Sequence, residues 1–251
     1  MRSPCRSVGL VVLTTAALAG GPGGARDTAP ETTAAVEETL TMIENIHWLN
    51  HASFRVEAGG KVIYFDPWQV GDGPPADLIL ISHDHQDHCS PADVARLWRE
   101  GTVIVTTAAA AVKLPQSCQV VSPGDEIAAH GIAVRAVPAY NINKFRSPGV
   151  VFHPREAGNV GFVVTVDGQR IYHAGDTDAI PEMDSLEVDI ALLPVSGTYV
   201  MTAEEAAAAA AAIEPRIAIP MHVGRGIGDL EDAARFAELA DVEVVVLEPE
   251  E

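Results

Sequence analysis

Strand-type segments occur in two blocks along this chain, and each block is followed by alternating strands and helices. The first block contains a hairpin signal, because the strand-type segments 54–58 and 61–65 flank Gly59-Gly60. The second block begins near Gln119. Two such blocks predict two sheets packed face to face with helices outside, an α/β four-layer αββα sandwich. Apolar periodicity supports the α/β class but does not by itself fix the layering.

Local start and stop signals place the helices between the predicted strands. Pro91 opens a helix that we expect to reach Glu100, and a capping box at Thr202 and Glu205 opens an alanine-rich helix that ends at Ile213. The other predicted helices are 108–114 and 230–239. The other predicted strands are 43–50, 77–82, 103–105, 119–121, 126–129, 132–137, 161–166, 169–172, 189–194, 217–219 and 242–247. Residues 138–159 form a long irregular segment of the kind that is usually functional.

The composition fits one globular domain with an acidic surface. The chain has 251 residues, of which 47% are hydrophobic, and its net charge is -19. Such a surface repels phosphate backbones, so we expect a small-molecule substrate and no nucleic-acid partner. We assign residues 43–251 to the domain. The oligomeric state does not follow from the sequence.

The N-terminus has the features of a secretory signal. Arg2 and Arg6 precede an apolar stretch at 8–19 that ends in small residues. This stretch is too short to cross a bilayer, and we expect no stable membrane span elsewhere. We therefore predict a signal peptide at 1–25, a flexible linker at 26–42, and a protein that is exported to the periplasm or secreted. The alternative is an ordinary N-terminal helix on a cytoplasmic protein.

One hexapeptide concentrates the groups that bind metals. The apolar run 77–82 leads directly into His83-Asp84-His85-Gln86-Asp87-His88. Imidazole nitrogens and carboxylate oxygens are the ligands of zinc and of similar divalent cations. A strand that ends in five such groups predicts a metal site on the loop that follows it.

Three further ligand-type residues follow along the chain. His153 lies in the long irregular segment, and Asp176 and His222 each come directly after a predicted strand. A single histidine is more often a structural residue than a ligand. The recurrence of these residues at strand ends strengthens the prediction of a metal centre.

The order of these motifs resembles the metallo-β-lactamase superfamily of metal-dependent hydrolases. The His-x-His-x-Asp-His pattern is followed by Ala-Gly-Asp-Thr at 174–177 and Pro-Met-His at 220–222, and the resemblance covers about residues 43–248. Four segments are similar to the branch with ascorbate phosphate lactonase and the phospholipase D that cleaves N-acyl phosphatidylethanolamine. These segments are 51–54, 66–68, 173–177 and 193–197. The resemblance implies the metallo-β-lactamase fold.

The same resemblance implies a binuclear metal site. The first ion would be held by His83, His85 and His153. The second ion would be held by Asp87, His88 and His222, with Asp176 bridging both. Many relatives carry the third ligand of the first site just after a Pro-Ala pair, whereas here Pro138-Ala139 is followed by Tyr140-Asn141. His153 is the best substitute in this chain, and His130 is the alternative.

This site would make the chain a metal-dependent hydrolase. Two cations roughly 3.5–4 Å apart lower the pKa of a water between them and create a hydroxide nucleophile. Asp87 and Asp176 are the predicted catalytic residues, zinc is the expected metal, and manganese or iron would suit the same ligands. The expected substrate is a small ester, lactone or phosphodiester. The alternatives are hydrolysis of a β-lactam, or a metal-binding relative without hydrolytic activity.

Other polar residues have two interpretations each. Asp66 either hydrogen-bonds a ligand histidine or fixes the loop, and Asp84 does likewise or is only solvated. His51 either lines the pocket or is structural.

The basic residues of the long segment and the cysteines are equally open. Lys144, Arg146 and Arg155 either bind an anionic group of the substrate or are ordinary loop charges. Cys89 and Cys118 are expected to be free thiols, with a disulfide as the alternative.

Overall fold

Two mixed β-sheets form the centre of the structure, a computed structural model that describes residues 11–13 and 33–250. In spatial order, the six-stranded sheet contains β2 (Ile46–Asn50), β3 (Ser53–Ala58), β4 (Lys61–Phe65), β5 (Leu78–Ile81), β6 (Val103–Thr106) and β7 (Gln119–Val120). The eight-stranded sheet contains β1 (Val11–Leu13), β16 (Glu243–Val246), β15 (Ile217–Met221), β14 (Ile190–Pro194), β13 (Gln169–His173), β12 (Val160–Val166), β9 (Ile132–Pro138) and β8 (Glu126–Ala129). A separate hairpin pairs β10 (Phe145–Ser147) with β11 (Val150–Val151).

Five α-helices accompany the sheets in the described residues. They are α1 (Thr33–Ile43), α2 (Pro91–Leu97), α3 (Ala108–Ala111), α4 (Ala203–Ile213) and α5 (Leu230–Leu239), and short 3₁₀ turns occur at Arg155–Ala157 and Pro181–Ser185. The predicted capping box is present at the start of α4, where the Thr202 and Glu205 side chains each bond the other residue's backbone N–H. Among the described helices, none has the length and apolar character needed to cross a membrane.

The alternating side chains of β5 show how the layers are built. Leu78 and Leu80 pack into the core between the two sheets, whereas Ile79 and Ile81 pack on the opposite face with side chains of α2 and α3. All four are fully buried. Each contributes roughly 1.5–3 kcal/mol of burial energy, so an all-apolar strand is stable only between two covered faces.

Helices also cover the outer face of the eight-stranded sheet. Phe236 of α5 and Ile213 of α4 are buried in the same large core as the strands of that sheet. The layers therefore run helix, sheet, sheet, helix. The predicted α/β four-layer sandwich is confirmed.

Parallel strands bring the loops that carry chemistry to one edge. β4, β5 and β6 run parallel in one sheet, and β13, β14 and β15 run parallel in the other. The carboxyl ends of neighbouring parallel strands open on the same side of a sheet, which is where open α/β sheets bind their ligands. The hexapeptide at 83–88 follows β5 at this edge.

Most predicted element positions agree with the structure, and the helix α2 shows why some ends differ. It was expected to reach Glu100 but ends at Leu97, whose carbonyl accepts a hydrogen bond from Ala76 N–H. Arg99 then pairs with Asp77 at 2.8 Å. These contacts from distant residues require the chain to leave the helix, a tertiary effect that local propensity does not contain.

The N-terminal predictions fall mostly outside the described residues. Within 1–25, only 11–13 are described, and they form β1 beside β16. The linker predicted at 26–42 overlaps α1, because Met42 is buried in the core and Thr39 Oγ1 lies 2.8 Å from Gln169 Oε1. The signal peptide and export stay predictions.

Candidate metal centre

The strand ends gather eight ligand-type side chains into two adjacent groups. One group comprises His83, His85, His153 and Asp176. The other comprises His51, Asp87, His88 and His222. Within each group, the potential ligand atoms all lie within 4.8 Å of one another. His51 and the ligands of the hexapeptide follow strands of the six-stranded sheet. Asp176 and His222 follow strands of the eight-stranded sheet, and His153 lies between its strands β9 and β12.

Asp176 faces both groups through its two carboxylate oxygens. Its Oδ1 lies 3.1 Å from His88 Nε2 and 3.3 Å from His222 Nε2. Its Oδ2 lies 3.4 Å from His153 Nε2 and 3.8 Å from His83 Nε2. One carboxylate between two clusters of imidazoles has the arrangement expected of a bridging ligand.

The Asp66 carboxylate anchors His88 directly and His83 through Ser82. His88 Nδ1 donates to Asp66 Oδ2 over 2.7 Å, and the Ser82 hydroxyl donates to the same oxygen over 2.6 Å. Ser82 Oγ in turn accepts from His83 Nδ1 at 3.0 Å. Because both Nδ1 atoms act as donors, the Nε2 lone pairs of His83 and His88 point into the clusters.

Ser196 positions the last histidine of the second group. It follows β14, and its Oγ accepts from His222 Nδ1 at 3.0 Å. His222 therefore has the same tautomer as His83 and His88, with Nε2 facing Asp176.

Asn141 positions His153, the predicted third ligand of the first ion. The Asn141 Oδ1 atom accepts from both the backbone N–H and the Nδ1 of His153, each at 2.9 Å. The backbone N–H of Asn141 also donates to the His153 carbonyl over 2.8 Å. The Asn141 amide donates to Asp178 Oδ1 and to the Tyr199 carbonyl. Asn141 therefore holds both the backbone and the ring of His153 in place.

Buried polar atoms without hydrogen-bond partners converge on these groups. Among the described residues they include the Nε2 atoms of His51, His83, His88 and His222, and Oδ1 of Asp176. Leaving a buried polar atom unpaired costs about 1–3 kcal/mol. Cations would satisfy all of these atoms together, and the mixed imidazole and carboxylate donors suit zinc, iron or manganese. The residues therefore fit a metal centre.

The ionisation of the carboxylates and histidines is strongly coupled. Burial favours the neutral forms, but Asp176 and Asp66 outweigh it at His88 and hold its pKa well above 6.5. Burial likewise opposes ionisation of Asp176, yet His222 and His88 hold the pKa of Asp176 well below 3.8. To bind a cation through Nε2, His88 must give up its proton, so metal uptake should release protons.

Asp87 and His51 form a second interacting pair, in which Asp87 is partly exposed and His51 is fully buried. Burial lowers the pKa of His51 to about 4, although its contact with Asp87 raises it. Burial raises the pKa of Asp87, but His51 and His88 outweigh that effect and bring it to about 2. Asp87 is therefore ionised and His51 is neutral at pH 7, which are the forms that bind metals.

Three non-glycine residues at the site have a left-handed backbone. His51, Asp66 and His222 have φ angles of 47°, 41° and 62°. Such conformations cost of order 1–3 kcal/mol each and persist where the surroundings enforce them. Here they turn the chain so that each side chain enters the centre.

The structure brings all seven predicted ligands together at one place. His130, the alternative to His153, is exposed and lies 2.9 Å from the Gly101 carbonyl, outside both groups. Sequence reasoning left the role of His51 open and did not identify Ser196 or Asn141. The Tyr140-Asn141 pair in place of the expected histidine was the signal that could have pointed to Asn141.

The basic residues of the long segment are largely paired with acidic side chains. Lys144 Nζ lies 2.6 Å from Glu205 Oε2 and 3.6 Å from Asp178 Oδ1. Arg155 lies 2.6 Å from Glu182 and stacks over a tyrosine ring. Arg146 is exposed on the β10–β11 hairpin. Of the three basic residues whose role the sequence left open, two are therefore paired with acidic side chains of the protein.

The two cysteines of the domain are free thiols. Cys89 is buried, and burial raises its pKa to about 11. Neither Cys89 nor Cys118 belongs to the ligand groups.

Known proteins are similar to this chain in both sequence and fold. Residues 45–222 match the family model described as the beta-lactamase superfamily domain. A metal-dependent hydrolase from Methanopyrus kandleri is 34% identical over 229 residues, which cover 82% of this chain and 97% of that protein. A crystal structure from Parabacteroides distasonis, described as a metal-dependent hydrolase, superposes with a TM-score of 0.73 and 33% identity, covering 82% of this chain and 93% of that one. A metallo hydrolase from Ignicoccus hospitalis superposes with a TM-score of 0.64 and 26% identity, covering 82% and 95%.

Proposed function

The chain belongs to the metallo-β-lactamase superfamily of metal-dependent hydrolases, and we propose that it uses two divalent cations to hydrolyse a small ester or lactone. The observation that carries the two-metal proposal is the placement of Asp176 between two groups of imidazoles. Zinc is the metal we propose first, with manganese or iron as alternatives of the same ligand chemistry.

The cations, when bound, supply Lewis acidity and lower the pKa of a coordinated water toward neutrality. The protein's own residues set the geometry for this chemistry. Asp176 spans the two groups, while Asp66, Asn141 and Ser196 fix the ring orientations by accepting from Nδ1 atoms. These partners restrict His88, His153 and His222 to the tautomer that presents Nε2 to a cation.

Asp87 acts as a ligand and as an orienting group. It is half-buried, its Oδ2 lies 3.5 Å from His51 Nε2, and its pKa of about 2 makes it a weak base at neutral pH. We therefore assign it to holding the second cation and to steering a proton by hydrogen bonding. The neighbouring His85 and Gln86 are exposed, so the substrate reaches the centre from this side.

The side chains of the two loops that lead to the centre favour an uncharged organic substrate. Exposed apolar side chains occur on both loops. Ile142, Phe145 and Val150 precede His153 in the chain, and Tyr199 follows Ser196. Phe152 packs edge-on against Tyr199, with ring centroids 4.5 Å apart, and so joins the two loops. Because Lys144 and Arg155 are paired with carboxylates, an ester or lactone fits better than a phosphodiester.

A panel assay on the metal-loaded protein tests this proposal. We expect hydrolysis of apolar esters or lactones, loss of activity with a chelator, and recovery with Zn²⁺, Mn²⁺ or Fe²⁺. Asp176→Asn should lose activity and bind fewer ions, whereas His130→Gln serves as the matched histidine control outside the site. The same panel includes a phosphodiester and a chromogenic cephalosporin. Faster hydrolysis of the phosphodiester or the cephalosporin than of the esters and lactones would refute the proposed substrate class. A folded, active protein that contains no metal would refute the proposed mechanism.

A further inference from the structure

His51 is a buried histidine whose ring has no hydrogen-bond partner among the described residues. It lies in the bend between β2 and β3, is 0% exposed, and both of its ring nitrogens are unsatisfied. A structural histidine in a core normally has its polar atoms paired. The unpaired ring therefore indicates that one of its nitrogens binds a group other than a protein atom.

His173 shows how a structural histidine looks in this same protein. It is also 0% exposed, but its Nε2 lies 2.8 Å from the Ala52 carbonyl and its Nδ1 accepts from Gly175 N–H. Both of its nitrogens are satisfied. His51 and His173 are thus equally buried, but only His173 has hydrogen-bond partners for its ring nitrogens.

The position of the His51 ring matches that of a ligand in the second group. Its Nε2 lies 3.5 Å from Asp87 Oδ2, and its ring centroid lies 4.1 Å from that of His222. Donors that share one cation at about 2.1 Å in tetrahedral geometry are about 3.4 Å apart. The contacts of Asp176 Oδ1 with His88 and His222 have the similar lengths of 3.1 and 3.3 Å.

The backbone fixes this ring relative to a predicted ligand. The His51 carbonyl accepts from His222 N–H at 2.9 Å and from Trp48 Nε1 at 3.0 Å. Residues 51 and 223 also form an isolated β-bridge. Main-chain hydrogen bonds therefore hold His51 and His222 together even when no cation is bound.

We infer that His51 is a direct ligand of the second cation, so that this site has five protein donors and the first has four. The second site then comprises His51, Asp87, His88, His222 and Asp176 Oδ1, against His83, His85, His153 and Asp176 Oδ2 in the first. Structural and catalytic zinc sites usually take three or four protein donors. A fifth protein donor would also suit Mn²⁺ or Fe²⁺, the alternatives to zinc named above, at the second site. The inference rests on the proposed two-metal site.

Metal titration of His51→Gln tests the inference, with His173→Gln as the control at equal burial. Glutamine is similar to histidine in size and is uncharged, but it is a poor ligand for these cations. Calorimetric titration of the metal-free chain with Co²⁺ alone should give two ions in the parent protein. In His51→Gln, the dissociation constant of one ion should rise by at least about 10- to 100-fold, the range for the loss of weaker supporting contacts. The visible absorption of that Co²⁺ ion should strengthen, because four-coordinate cobalt absorbs more strongly than five-coordinate cobalt.

Thermal unfolding without metal separates a ligand from a structural residue. Since the His51 ring makes no hydrogen bond to protein atoms, His51→Gln should keep the metal-free Tm, whereas His173→Gln should lower it. A lower metal-free Tm with unchanged metal affinity and cobalt spectrum in His51→Gln would overturn the assignment.

Two measurements on the unmodified protein keep the test independent of folding and of activity. The dicobalt protein should show six sets of hyperfine-shifted imidazole proton signals, one for each histidine of the two groups, and five sets with the His51 ring assigned among the unshifted signals would exclude it. Two bound ions with no hydrolysis of any substrate would refute the proposed function and leave the His51 assignment standing. Failure to bind an ion in the His51 group would refute both.

Discussion

The Asn141 carboxamide makes four hydrogen bonds in the buried wall of the centre, and its removal should reduce both stability and metal affinity. Two of these bonds go to His153, one to Asp178 and one to the Tyr199 carbonyl. A net 0.5–1.5 kcal/mol for each bond gives about 2–6 kcal/mol in total. Asp178 keeps two backbone donors, Ile142 N–H and Asn143 N–H, so it is not left unpaired. We therefore expect Asn141→Ala to lower the free energy of unfolding by roughly 2–4 kcal/mol.

Urea unfolding of the metal-free protein measures this loss, and metal titration measures the effect on the site. At 2–4 °C for each kcal/mol in a chain of this size, Tm should fall by about 4–16 °C. The affinity of the first ion should weaken by about 10- to 100-fold, because Asn141 fixes the tautomer of His153. Asn143→Ala is the matched control, since its exposed amide bonds Glu205 but does not contact His153.

A second substitution at the same position separates the two roles. Asn141→Asp keeps the acceptor for His153 but places a carboxylate oxygen about 3 Å from Asp178, where the amide now lies at 3.1 Å. The centres of the two carboxylate charges would lie about 4 Å apart, and they would repel by about 4 kcal/mol at an effective dielectric constant of 20. This variant should lose at least as much stability as Asn141→Ala while binding the first ion more tightly than that variant does. Equal stability and equal metal affinity in the parent protein and Asn141→Ala would refute the reasoning.

Three shorter predictions concern the metals, the long loop and the thiols. Free Zn²⁺ at 100 times its dissociation constant should stabilise the chain by about 2.7 kcal/mol for each site, and a chelator should reverse this gain in a thermal melt. Lys144→Met should cost about 1 kcal/mol in urea unfolding through its partly buried pair with Glu205, yet leave the KM for a neutral lactone unchanged; a raised KM would return Lys144 to substrate binding. At pH 8 a thiol reagent should not modify Cys89 until the protein unfolds, because the side chain is 2% exposed and its pKa is about 11; rapid native labelling would contradict its burial.

The features predictable from sequence are those encoded by neighbouring residues. Gly59-Gly60 identifies the β3–β4 hairpin, and Thr202 with Glu205 identifies the start of α4. The hexapeptide indicated its own ligands because its spacing and its position after an apolar strand are both local. In each case the physical cause lies within a few residues of its effect.

The features that were missed depend on contacts between distant parts of the chain. The unpaired state of the His51 ring can be known only after His222 and Asp87 are placed beside it. Lys144 has the same charge whether it binds a substrate or Glu205, which lies 61 positions away. The hairpin β10–β11 lies within a segment whose sequence showed only prolines and irregular polarity.

The division of the ligands between the two sheets has a consequence for how long the chain survives. Each cation would join residues that are far apart in sequence, such as His88 and Asp176, and so act as a removable cross-link between the halves of the sandwich. Cross-links that close long loops restrict the unfolded chain most, and here the restriction would exist only while the ions are held. Supply and withdrawal of metal would therefore regulate the lifetime of this protein against unfolding and proteolysis, in addition to its chemistry.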